Sequence, residues 1–160
     1  MKKDRPIKLL RVIGEKTFEE AARLLSEPPY NCSINEYESY FLIKYNMIKS
    51  DFSNKAVQQC RGIILDKETF EIVCRPFDKF FNYGETHAAK IDWDSAVATE
   101  KIDGSLIKVW WAEKLNKWMV STNGTVNAFE AEIQNDASPY KTFGELFLYA
   151  LGISLEERGY

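Results

Sequence analysis

Lys101, Asp103 and Gly104, within Glu100-Lys101-Ile102-Asp103-Gly104-Ser105, are the residues of this 160-residue chain best suited by type and spacing to covalent chemistry. A lysine ammonium with a pKa of about 10.4 is a poor nucleophile at neutral pH. Desolvation or nearby cations would lower that value and free the amine. Gly104 would let the backbone turn tightly and approach a bound substrate with no side chain in the way. Asp103, two residues on, projects to the same side of an extended chain as Lys101 and could orient its amine. Taken alone, the same residues also make an ordinary turn, because Asp-Gly is a common turn pair.

The elements that would hold these residues are legible as an α+β pattern. Thr17-Phe18-Glu19-Glu20 has the form of a capping box, and Phe18, Ala21, Ala22 and Leu25 follow at helical spacing until Pro28-Pro29. Tyr40–Asn46 is dense in aromatic and β-branched residues and predicts a strand, with Phe41, Ile43 and Tyr45 on one face and Leu42 and Lys44 on the other. Cys60–Asp66 and Glu71–Arg75 read as two strands joined by a polar turn. Phe77–Tyr83 reads as an aromatic loop. Val97–Ile102 is a further strand candidate leading through Asp103-Gly104 into Ser105–Trp111. There Ile107, Val109 and Trp111 oppose Leu106, Lys108 and Trp110. A turn at Glu113–Asn116 precedes a strand at Lys117–Thr122. Thr142-Phe143-Gly144-Glu145 predicts a second capped helix, and Ala128–Ile133 a weaker one.

Composition sets the outer bounds. With 45% hydrophobic and 28% charged residues the chain suits one globular domain. A net charge of −3 gives no global basic field, which argues against coating long duplexes but leaves room for a local basic cleft. Cys32, Cys60 and Cys74 lack metal-type spacing and read as free thiols, and His87 is the single histidine, so no metal site is expected. No apolar run is long enough to span a membrane and no signal peptide is evident, so the expected location is cytoplasmic.

Four segments together form a pattern. Glu100-Lys101-Ile102-Asp103-Gly104-Ser105-Leu106 follows Leu42-Ile43-Lys44-Tyr45-Asn46, Gln59-Cys60-Arg61-Gly62-Ile63-Ile64 and Arg75-Pro76-Phe77-Asp78-Lys79-Phe80-Phe81-Asn82. The pattern resembles the RNA ligase 1 family of T-even phages and its bacterial relatives, within the covalent lysine nucleotidyltransferases. The resemblance runs from about Ser39 to Thr125. It implies an ATP-grasp-like ligase fold, mostly antiparallel sheet with flanking helices. It also implies an ATP-dependent RNA ligase that joins 5′-phosphate and 3′-hydroxyl RNA ends in RNA repair. Lys101 would be the adenylylated nucleophile with Asp103 as its catalytic neighbour. Tyr45, Arg61, Lys79, Glu100, Lys101 and Gly104 would bind ATP, accompanied by magnesium. Such a set makes physical sense, since cations aimed at the phosphates stabilise departing pyrophosphate and also disfavour a protonated Lys101.

The sequence departs from this family at two places. Asn123, in Ser121-Thr122-Asn123-Gly124-Thr125, stands where the phage enzyme has a lysine. Lys141, placed before a helix, does not supply the later lysine-containing motif. The chain is therefore expected to be the N-terminal part of a nucleotidyltransferase domain: a helical lead-in over 1–30, a motif-bearing sheet over 39–125 and a helical part over 126–160. The alternative expectation is a catalytically incomplete piece that binds nucleotide or RNA ends and needs a missing C-terminal region or a complementing chain.

Overall fold

The computed structural model describes residues 7–153, an α+β arrangement built on antiparallel pairing. In chain order the elements are α1 (Lys8–Ile13), α2 (Phe18–Ser26), β1 (Cys32–Tyr37), β2 (Tyr40–Tyr45), α3 (Lys55–Gln59), β3 (Arg61–Asp66) and β4 (Ile72–Cys74). Then come β5 (Lys108–Ala112), β6 (Lys117–Ser121) and α4 (Phe143–Ala150). Strands β1 to β4 form a four-stranded sheet in sequential order, and β5 and β6 pair as a separate ribbon.

The alternation along β2 explains the two-layered core. Phe41, Ile43 and Tyr45 face one side, where α1, α2 and α3 contribute Leu9, Ile13, Ala21, Leu25 and Ala56. Tyr40 and Leu42 face the other, against Trp110, Ala112, Met119 and Val126. Both faces of β2 and β3 are thus covered, and Ile63, Ile64 and Leu65 are fully buried. Helix α2 keeps its expected reciprocal cap: Thr17 Oγ1 accepts from Glu20 N, and Glu20 accepts from Thr17 N. At α4 only half of that motif forms. Thr142 accepts from Glu145 N, while Glu145 Oε2 accepts from the backbone of Lys141 instead.

Three elements were not anticipated: α1, β1 and α3. The strand β1 reads Cys-Ser-Ile-Asn-Glu-Tyr, too polar to announce itself, because it is an edge strand held by its ladder with β2. Two predictions need correction. The expected strand at Val97–Ile102 does not form; residues 89–105 are exposed throughout and carry no ladder, and apolar side chains alone do not make a strand without a partner edge. The expected helix at Ala128–Ile133 is a single 3₁₀ turn, Ala128–Glu130.

The β3–β4 turn is tied by Asp66, whose carboxylate accepts from the amides of Glu68 and Thr69 and from Lys114 Nζ. Burial pushes the Asp66 acid up, but the Lys114 and amide hydrogen bonds outweigh it and hold the carboxyl below its ordinary value. A depressed folded value stabilises the protein above 3.8 and is lost as pH falls below it. Thermal denaturation is therefore expected to show Asp66→Asn less stable than the parent at neutral pH. The difference should shrink in acid; an unchanged difference would contradict this role.

Candidate functional site

The site begins at a bulge. Ile43 pairs with Ile63 and Lys44 with Arg61, so Gly62 is the extra residue on β3. Its φ of +87° suits glycine, and a Cβ there would lie 2.9 Å from the Asn123 carbonyl oxygen and 3.1 Å from Lys108 Nζ. The Asn123 turn is itself closed by Thr122 Oγ1, which accepts from the amides of Gly124 and Thr125. The β2–β3 bulge, the start of β5 and the turn after β6 therefore meet at one point.

Three of the predicted site residues gather beside that point. Arg61, at the start of β3, lies over the Phe80 ring, 4.8 Å from its centroid, and its Nη1 is buried without a partner among the described residues. Asp66, on the same strand, is occupied by Lys114. Lys79 sits over Phe81 at 4.6 Å and Phe52 at 5.2 Å, with its backbone N–H anchored on the Gln58 carbonyl. Tyr45 meets Phe52 edge-on at 5.0 Å. Tyr45 and Lys79 are thus joined through the Phe52–Phe81 pair, and Arg61 stacks on Phe80, the residue after Lys79 in the chain. The rim of this cluster opens into a cleft of about 720 Å³ lined by Lys8, Lys55, Phe77, Lys79, Phe80, Phe81, Tyr83 and His87.

The remaining predicted residues are elsewhere. Glu100, Lys101, Asp103 and Gly104 lie on the exposed 89–105 segment. Lys101 Nζ is paired with Asp103 Oδ1 at 2.5 Å, and the ammonium holds the Asp103 carboxyl below its ordinary value. Among the described residues this is the ion pair Lys101 makes, and Lys101 is not among the residues lining the cleft beside Lys79. Gly104 has a φ of +143°, consistent with the turn that Asp-Gly predicts.

Lys108 is the residue that sequence reasoning passed over. It is 7% exposed, and its ammonium donates to the Gly62 carbonyl. The available signal was its position on the same strand face as Trp110 and Ala112, both buried, whereas Val109 and Trp111 are exposed. Desolvation lowers its pKa to about 8. The sign follows directly: the folded value lies below the unfolded one. The cost is fully present below about 8 and is relieved as pH rises toward 10.5. That cost is on the order of 3 kcal/mol, against about 1 kcal/mol for the lost hydrogen bond to Gly62. Lys108→Met is accordingly expected to raise the melting temperature at neutral pH, with the gain vanishing in alkaline buffer. A lowered melting temperature at neutral pH would overturn this.

Residues 59–158 match the family model described as RNA ligase. The chain belongs to the RNA ligase family. It is also 33% identical over 135 residues to a protein of Autographa californica nuclear polyhedrosis virus named "Putative bifunctional polynucleotide kinase/RNA ligase". That match covers 76% of this chain and 18% of the viral protein, so this RNA ligase family member spans under a fifth of its relative. Among the described residues no group of three or more His, Cys, Asp or Glu is placed to hold a metal ion, and no helix is long and apolar enough to cross a membrane. Cys32, Cys60 and Cys74 are free; hydrogen bonding with Cys32, then burial, pushes the Cys60 thiol up.

Proposed function

We propose that this RNA ligase family member is an ATP-dependent nucleotidyltransferase in which Lys101 takes AMP from ATP. The observation supporting it most strongly is Arg61: a guanidinium fixed on Phe80, with one buried nitrogen unpartnered, in a chain of this family. A guanidinium held this way is prepared for an anionic ligand, and bidentate contact with phosphate is the chemistry it suits. Lys79 supplies a point charge from the adjoining Phe81–Phe52 cluster, which Tyr45 joins edge-on.

In this proposal the Lys101 amine attacks the α-phosphorus, a nitrogen–phosphorus bond forms and the bond to pyrophosphate breaks. Two protons leave Nζ: the ammonium gives one to the Asp103 carboxylate before attack, which dissolves their ion pair, and the second passes to solvent once the nitrogen–phosphorus bond has formed. The freed amine reaches the α-phosphorus when the 89–105 segment closes over Arg61 and Lys79. Glu100 and Gly104 would then border the nucleotide. Magnesium would neutralise the triphosphate and be held largely by its oxygens. AMP then moves to an RNA 5′-phosphate and is released when a 3′-hydroxyl attacks.

A second reading is a nucleotide- or RNA-end-binding chain that needs a complementing segment or partner. It is favoured by the exposure of Trp93 (69%), Val97 (83%) and Ile102 (84%) around Lys101. Intact mass after incubation with ATP and magnesium decides between the two. An AMP adduct from this chain supports the enzyme. An adduct appearing only after extension of the chain supports the second reading, and none from either removes the lysyl-adenylate. Labelling by GTP instead would point to capping chemistry.

A further inference from the structure

We propose that Lys108 and Lys44, together with Arg61, form a seat for the polyphosphate of the nucleotide, centred on the Gly62 bulge and the Asn123-Gly124 turn. It deepens, and for the identity of the ligand rests on, the nucleotidyltransferase proposal, whose motif-derived residues include neither lysine.

Four observations converge. Lys108 is a buried ammonium with three donors and one acceptor, the Gly62 carbonyl, and no carboxylate among the described residues pairs with it. Arg61, the neighbour of Gly62, has its own buried unpartnered nitrogen. Lys44 pairs with Arg61 across the ladder, and its Nζ reaches within 3.7 Å of where a Gly124 Cβ would stand. Gly62 leaves the space beside the Lys108 ammonium open, since a Cβ there would stand 3.1 Å from Lys108 Nζ.

Of these three cations from three strands, Lys108 is held at a backbone carbonyl and no carboxylate, an arrangement costly to the fold by itself. A methionine at 108 would fill the same space without a desolvated charge. Adjacent carboxylates would satisfy a structural lysine; among the described residues no carboxylate pairs with Lys108, and Asp66 and Asp78 are engaged with Lys114 and Arg75. An arriving polyphosphate supplies the missing negative charge and the missing acceptors together. The arrangement also places a cation beside Asn123, on the neighbouring strand, where the turn itself has none.

The test is equilibrium titration of the full chain with inorganic pyrophosphate and with ATP, for the parent, Lys108→Met and Lys44→Ala. Loss of Lys108 is expected to weaken both ligands at least about tenfold, and loss of Lys44 several-fold. Should Lys108→Met fail to fold, Lys44→Ala decides, because that side chain is exposed. Parent-like binding by both variants, or no binding of either ligand by the parent, overturns the seat. Lys108-dependent binding without any AMP adduct leaves the seat standing while the adenylylation proposal fails. An adduct formed equally well by the Lys108 and Lys44 variants removes the seat alone.

Discussion

Lys101→Ala is expected to stay at its unmodified mass in ATP and magnesium under conditions where the parent chain gains AMP. Loss of a covalent nucleophile removes the reaction path rather than weakening it, so the drop should be at least about 10³-fold. Three lysines of the described residues are already committed elsewhere. Lys108 is buried against Gly62, Lys79 is stacked on Phe81 and Phe52, and Lys114 is paired with Asp66 and Glu68. Lys101→Arg should be as inactive as alanine, because a guanidinium stays protonated. Because Lys101 is 72% exposed and its partner Asp103 91% exposed, neither variant should alter the melting temperature. That separation matters, since it divides loss of chemistry from loss of fold. An adduct persisting in Lys101→Ala would place the nucleophile elsewhere.

Gly62→Ala is expected to have the largest effect on the fold. The position combines a φ of +87° with a space already filled: an added Cβ would stand 2.9 Å from Asn123 O and 3.0 Å from Asn123 Cα, both backbone. Left-handed backbone costs a non-glycine residue about 1–2 kcal/mol. Displacing a backbone turn adds overpacking strain of similar size, giving roughly 2–4 kcal/mol together. Chemical denaturation measures this directly, and a loss under about 0.5 kcal/mol would mean the turn yields freely. The same change should push Asn123 and Lys108 away from Arg61, so ATP binding should fall even where the variant is fully folded. Arg61 keeps its ring contact with Phe80 in either case.

Much of the scaffold could be read from local pattern because local physics decided it. The α2 cap, the alternation along β2 and the β3–β4 hairpin each depend on residues a few positions apart, and each formed as expected. Edge strand β1 and short helices α1 and α3 were silent, since their stability comes from what they pack on: Leu9 N, for instance, donates to Gln59 Oε1, 50 residues away. The strand expected at Val97–Ile102 failed for the converse reason: apolar residues were present and a partner edge was not.

The site divides along the same line. Residue type and order by themselves determined that Lys101, Asp103 and Gly104 stand in a nucleophile-like motif behind Tyr45, Arg61 and Lys79. Only tertiary structure decided that Tyr45 and Lys79 share one aromatic cluster, with Arg61 on the adjoining Phe80, while Lys101 lies on an exposed segment paired with Asp103. Only it singled out Lys108. A lysine on an alternating strand is silent about its environment; the register of β5 against β6 and the bulge at Gly62 turn it inward, where desolvation gives an ordinary side chain an unusual charge.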